Sequence, residues 1–162
     1  MTENEDLPTI CQLETKEGEI IDIKNEEITR KIGLVHNFLK MDRSSSPRAP
    51  IIPIKEVNAE DIKFILRHIE NMLETNDTTW KSLFEECAML KSSQFTSIIE
   101  TTNFMAIPDM LKALAKFCAK QLEKKSIYET AEFLGIEVDI SDNEREEIRR
   151  NEWYKNRHEN CE

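Results

Sequence analysis

The stretch that most limits how this chain can fold runs from Phe95 to Leu122. It reads as two helices joined by a short hinge. Phe95, Ile98, Ile99 and Thr102 repeat at i, i+3, i+4 and i+7, the spacing of one helix face. The hinge is Asn103-Phe104-Met105-Ala106-Ile107. Pro108 suits the first turn of a second helix, because the N–H it lacks would have had no intrahelical partner there. Asp109 follows at the positive end of the helix dipole, and Met110, Leu111, Leu114, Phe117, Cys118 and Leu122 mark one face. Two large residues in a hinge are unusual, since exposed connections are mostly polar. Phe104 and Met105 therefore either plug the core between the helices or anchor another protein at the surface.

Length and charge narrow the choices. A chain of 162 residues allows one domain, or one domain with an appended module. Charged residues make up 33% and the net charge is −10, so the field repels nucleic acid and anionic lipid. A basic protein surface is the favoured partner. The apolar runs are too short for a membrane span, and the acidic start, Met1 to Pro8, lacks a signal-peptide core. Cys11, Cys87, Cys118 and Cys161 lie far apart without a CxxC pair, which points to a reducing compartment, cytoplasm or nucleus.

Along the chain, residues 1–8 read as a disordered tail. Two β-prone runs, Thr9–Thr15 and Glu19–Lys24, flank a Gly-containing turn and predict a hairpin with Cys11 and Leu13 on its buried face. Asn25 is placed to cap a helix over Glu26–Lys31. Gly33 reads as a break before an amphipathic piece with Leu34, Val35, Phe38 and Leu39. Residues 42–50 form a Ser- and Pro-rich loop. Ile51-Ile52-Pro53-Ile54 suits a strand that Pro53 confines to a sheet edge. Asn58 reads as the cap of a long helix with Ile62, Ile65, Leu66, Ile69, Met72 and Leu73 on one face. A helix through Trp80, Leu83, Phe84 and Cys87 follows.

Two later helices carry the same start. Ser126-Ile-Tyr-Glu129 and Ser141-Asp-Asn-Glu144 are capping boxes, in which hydroxyl and carboxylate each bond a free backbone N–H. The first helix stops at Gly135, with Ile136 as the expected apolar contact of a Schellman motif. The second runs from Asp142 toward Trp153 and is nearly all charged, too polar to be stable alone. Trp153 either folds back on the chain or orders against a partner, and the partner is the favoured reading.

The residues point away from catalysis. His36 and His68 lack a second ligand at helical spacing and read as surface or boundary histidines. His158 and Cys161 have no matching metal pair. Cys87 and Cys118 read as buried structural thiols. With three glycines and no GxGxxG, P-loop or GxSxG, neither a phosphate cradle nor a nucleophile elbow is present. No enzyme, cofactor or metal is expected.

The order of elements, with four stretches of residues, resembles the Skp-type adaptors of SCF ubiquitin ligases, whose amino-terminal part is a BTB/POZ-type fold. Glu17-Gly18-Glu19-Ile20 is similar to the family's hairpin turn, and Pro53-Ile-Lys-Glu-Val-Asn58 to its entry into the long helix. Thr101-Thr-Asn103-Phe104-Met105-Ala106-Ile107 resembles the hinge Ala-Asn-Tyr-Leu-Asp-Ile, and Arg149-Arg-Asn-Glu-Trp153 resembles the family's last helix. The resemblance covers about residues 9–154. It departs at Thr96 and Glu100, where the family tends to be apolar, at Phe104, which replaces a Tyr, and at Ser126-Ile-Tyr-Glu-Thr, which replaces Thr-Pro-Glu-Glu-Ile. The acidic insertion after the long helix is also short.

The resemblance implies an α/β, BTB/POZ-type fold with a small three-stranded sheet, surrounding helices and a carboxy-terminal helical extension. Its domains would be a BTB/POZ-type domain at 9–122, F-box-binding helices at 123–155 and a disordered tail at 156–162. It carries cullin contact to Asn103 and Phe104, and F-box contact to Phe95, Ile99, Ile107, Leu111 and Trp153. The implied function is an adaptor between a cullin amino-terminal domain and F-box substrate receptors, with no more than weak homodimerisation. Two other binding modules share the BTB-type half. One is an elongin-C-like adaptor, against which the capping boxes at Ser126 and Ser141 argue; the other is a homodimerising protein that has lost cullin binding.

Overall fold

The computed structural model describes residues 8–42, 47–123, 125–137, 139 and 141–150. The acidic start Met1–Leu7, the loop serines Ser44, Ser45 and Ser46, and Trp153 with the rest of 151–162 lie outside the described residues. The chain divides into two compact units, Met1–Lys116 and Phe117–Glu162.

The first unit is built on a three-stranded sheet of order β2-β1-β3, with β1 at Cys11–Glu14, β2 at Ile20–Ile23 and β3 at Ile51–Pro53. The alternation in β1 works as the sequence implied: Cys11, Leu13 and Thr15 are buried while Gln12 and Glu14 are half-exposed. β1 pairs antiparallel with β2, Leu13 facing Ile21, through a turn in which Gly18 takes φ +81°. On its other side β1 runs parallel to β3, Leu13 facing Ile52. β3 is an edge strand, which is where Pro53, lacking an N–H, can be accommodated.

Helix α1, Glu26–Lys31, starts as expected, with Asn25 Oδ1 accepting the Glu27 N–H at 2.8 Å. Helix α2, Gly33–Met41, follows with only Ile32 between them, so Gly33 opens a helix rather than ending one. Helix α3, Ala59–Thr75, buries Ile62, Ile65, Leu66, Ile69 and Met72 along one face and lies against α1 and against α5, Ser92–Phe104. Each such side chain contributes about 1.5–3 kcal/mol on full burial, so this face is a principal support of the unit.

The start of α3 differs from the expectation. Asn58 stands at the cap position, but its side chain does not cap. Its amide donates toward Asp61 at 3.5 Å, and the Ala59 N–H is taken by Glu17 Oε2 at 3.0 Å. A carboxylate from the hairpin turn thus caps the long helix, tying sheet to helix. Asp61 also accepts from Ser97 Oγ at 2.5 Å and Thr101 Oγ1 at 3.4 Å, which pins the first turn of α3 to α5.

Helix α4, Lys81–Cys87, begins one residue later than Trp80, which sits in left-handed geometry at φ 59°. Leu83 and Cys87 are buried and Phe84 is half-buried. Helix α6 spans Pro108–Leu122.

In the second unit, α7 covers Ile127–Leu134 and α8 covers Asp142–Arg150. Both capping boxes are made. The Ser126 N–H donates to Glu129 Oε2 at 2.8 Å and the Glu129 N–H returns to Ser126 Oγ at 3.3 Å. Ser141 and Glu144 repeat the exchange at 2.9 and 3.4 Å. Gly135 ends α7 at φ 66°, and the Ile136 N–H reaches back to the Ala131 carbonyl at 2.8 Å. The backbone half of the Schellman motif is therefore present, but the Ile136 side chain stays 58% exposed and does not close the expected apolar contact.

Candidate functional site: the hinge corner

The hinge between α5 and α6 separates its two large residues. Met105 is fully buried, and Phe104 is 43% exposed. The geometry follows from how α5 ends. The Ala106 N–H bonds the Asn103 carbonyl at 3.0 Å and the Ile107 N–H bonds the Thr102 carbonyl at 3.2 Å. These are the two bonds of a Schellman motif, whose turning residue must be left-handed. That residue is Ala106 at φ 55°, where glycine would be usual, so the turn carries local strain. The turn sends Met105 inward and leaves Asn103 and Phe104 outside.

The first turn of α2 holds this corner in place. The Gly33 N–H donates to the Ala106 carbonyl at 2.9 Å and the Leu34 N–H to the Met105 carbonyl at 3.1 Å. Free N–H groups at the start of one helix thus satisfy carbonyls just past the end of another, the dipoles meeting head to tail. Only glycine fits at position 33: a Cβ there would lie 2.7 Å from the Ala106 oxygen and 3.0 Å from its Cβ. Lys31 and Asp109 form an ion pair at 3.3 Å beside it. Both are well exposed, so the pair contributes at most about 1 kcal/mol.

The other positions assigned by resemblance are placed unevenly. Asn103 and Phe104 stand together, exposed, at the end of α5. Ile99, one turn earlier, and Leu111, in the first turns of α6, are half-exposed. Phe95 and Ile107 are 4% and 2% exposed, so their side chains support this surface from within rather than form it. Trp153 lies outside the described residues. Thr96 and Glu100, the polar departures, are exposed.

Two features were missed in the sequence. His68, read as a surface or boundary residue, is 3% exposed. Its Nε2 is 2.9 Å from Glu86 Oε2, and its ring tilts against Phe64 with centroids 4.6 Å apart. Burial pulls its pKa below 6.5, and the neighbouring Glu86 carboxylate opposes this without overcoming it. The signal was available: His68 sits three residues after Ile65, on the apolar face of α3. The role of Gly33 had a weaker signal, a glycine where a helix begins rather than ends.

Among the described residues Cys11 and Cys87 are buried, whereas Cys118, expected to be buried, is half-buried. Burial pushes Cys11 up to about 11 and Cys87 up to about 12, and Cys118 is raised for the same reason. Among the described residues no group of three or more His, Cys, Asp and Glu side chains is arranged to hold a metal ion, and no helix is long and apolar enough to cross a membrane.

The carboxy-terminal part is similar to a known protein family. Residues 108–154 match the domain described as "Skp1 family, dimerisation domain". That stretch of the chain is similar to the Skp1 family. The match begins at Pro108, where α6 starts, and takes in α7 and α8. The Skp1 family is a family of adaptors, not of enzymes, and its role is of the SCF-adaptor type. The sheet, hinge and long helix lie outside the matched span. They form the small open sheet with surrounding helices that a BTB-like fold requires, to which the Skp1-type helices are the extension. No curated protein matches the chain.

Proposed function

We propose that this protein is a Skp1-type adaptor subunit of a cullin-RING (SCF) ubiquitin ligase, holding a cullin amino-terminal domain at the hinge corner and an F-box substrate receptor through its carboxy-terminal helices. The observation that carries the cullin half of the reading is the exposure of Phe104 beside Asn103 on a corner that five backbone and ionic contacts hold rigid. A large aromatic residue kept outside a fixed turn is the form a binding anchor takes. The family match supports the F-box half. Ile99 and Leu111 supply half-exposed apolar surface for that contact, with Phe95 and Ile107 behind them; Trp153, by resemblance, would be a further anchor for the F-box protein. The mechanism is scaffolding: substrate is brought near the ubiquitin-charging enzyme and the gain is effective concentration. The protein would work in the cytoplasm and nucleus.

The test is co-elution of the full chain with an F-box protein and a cullin amino-terminal domain. A ternary complex that loses the cullin on Phe104→Ala, and the F-box protein on Trp153→Ala, is the expected result. No complex with either protein would overturn the reading. Self-association is the second reading, favoured by the description of the matched domain as a dimerisation domain. Sedimentation of the chain alone separates the two: the adaptor reading expects a monomer or weak dimer.

A further inference from the structure

Helices α1 and α2 enclose a groove beside the residue that leads into β1. It is lined by Ile10, by Glu26 and Arg30 of α1, and by His36, Leu39 and Lys40 of α2. Its volume is about 480 Å³, room for several side chains rather than for one water or ion. Ile10 and Leu39 are half-buried hydrophobes, His36 is half-buried, and Arg30 and Lys40 are exposed.

Charge says what suits it. Arg30 is answered within the groove by Glu26 at 2.6 Å, and Lys40 is the other cation of the lining, with no second carboxylate there. The surrounding stretch is basic as well. From Lys24 to Arg43 the cations Lys24, Arg30, Lys31, Lys40 and Arg43 stand against Glu26, Glu27 and Asp42, and Lys31 is further answered by Asp109. In a chain of net charge −10 this is an attractive place for a carboxylate. The segment that enters β1 has the opposite character. Residues 1–15 contain no basic side chain, and residues 1–7 carry Glu3, Glu5 and Asp6, with Leu7 as the one apolar side chain after Met1.

We propose that the acidic segment before β1 folds back into this groove, with Leu7 against Ile10 and Leu39 and the Glu5 carboxylate on Lys40. Connectivity keeps it within reach: three residues span at most about 11 Å, so Leu7 cannot lie farther than that from Ile10, which is itself part of the lining. Pro8 restricts Leu7 to extended backbone, and an extended Glu5-Asp6-Leu7 sets Glu5 and Leu7 on one side. Tethering supplies an effective concentration in the millimolar range, so a contact too weak to hold a separate peptide is still populated. The strap covers the seam between α1 and α2 and denies the groove to acidic peptides from other proteins. The inference does not depend on the adaptor reading.

The experiment is NMR of the full chain, reading the backbone heteronuclear NOE of Glu5, Asp6 and Leu7 and the amide shifts of Ile10, Leu39 and Lys40. The variants are Leu7→Asp, Lys40→Glu, Glu5→Lys and the double exchange Glu5→Lys with Lys40→Glu. Unchanged amide shifts in α3 confirm that each is folded. In the parent protein the three NOE values should approach those of β1. Leu7→Asp and each single charge change should lower them and move the groove amides, and the double exchange should restore both. Flexible-chain NOE values for Glu5, Asp6 and Leu7 in the parent protein would overturn the inference. So would groove amides that ignore Leu7→Asp. A double exchange no better than its single changes would overturn the pairing of Glu5 with Lys40. If the groove shifts instead depend on protein concentration, a second copy occupies the groove and the assignment to residues 1–7 is overturned.

Discussion

Replacing Gly33 by alanine sets two opposed effects against each other, and the structure says which prevails. Gly33 is the first residue of a helix and its φ lies outside the left-handed region. On backbone entropy alone, alanine there should stabilise by about 0.5–1 kcal/mol. Against this, the new Cβ would meet the Ala106 oxygen at 2.7 Å and the Ala106 Cβ at 3.0 Å. The nearest atom is backbone and cannot swing aside. Relief requires α2 to move off the hinge, which lengthens the Gly33–Ala106 and Leu34–Met105 hydrogen bonds, each with a net value of about 1 kcal/mol. Overpacking adds about 1–3 kcal/mol. The expected net loss is about 2–3 kcal/mol, a fall in Tm of about 8 °C. Urea unfolding followed by circular dichroism measures it. Ala106→Gly in the variant background removes the 3.0 Å contact but leaves the carbonyl, so rescue should be partial at most. Gly18→Ala is the control: nothing lies within 4 Å of its Cβ, and its cost should be only the roughly 1 kcal/mol of left-handed geometry. A Gly33→Ala protein as stable as its parent would refute the close approach.

Three further outcomes are expected. Because His68 has its folded pKa below the unfolded 6.5, the unfolded state binds more protons between the two values, so stability is full above about pH 6.5 and is lost as pH falls through that window; melting curves of His68→Gln should lose that slope. Ser126→Ala removes the acceptor for the Glu129 N–H and should cost about 1 kcal/mol of α7 stability, read as lost helicity, while His68-dependent unfolding of the first unit is unchanged. Brief alkylation at pH 8 with peptide-level mass spectrometry should label Cys118, half-buried, before Cys11 and Cys87, which are buried and raised to about 11 and 12; fast labelling of Cys87 would contradict its burial in α4.

What could be read from the sequence was local. The hairpin, the buried face of α3 and both capping boxes depend on residues within a turn or two of each other, and the periodicities recorded them. The hinge was legible as a place but not as a geometry: which of Phe104 and Met105 faces out depends on Ala106 turning left-handed, and that on two carbonyls finding donors in α2. Asn58 was read as a cap because its position is right. Glu17, distant in sequence, displaced it by offering a charged acceptor to Ala59. Burial of His68 was legible in the periodicity of α3, but its partner was not, because Glu86 comes from α4, 18 residues on.

The mixed pairing of β1 has a consequence for synthesis. Its antiparallel partner β2 follows across one turn, so the hairpin can close within microseconds of leaving the ribosome. Its parallel partner β3 emerges only after α1, α2 and the loop beyond them, a delay on the order of seconds. Throughout that interval the second edge of β1 stands open, with the Gln12 N–H and the Glu14 carbonyl waiting for Pro50 and Ile54. A nascent chain of this protein therefore passes through a state with an unpaired, half-apolar strand edge, and ribosome-associated chaperones should engage it there, releasing it once Ile54 is clear of the exit tunnel.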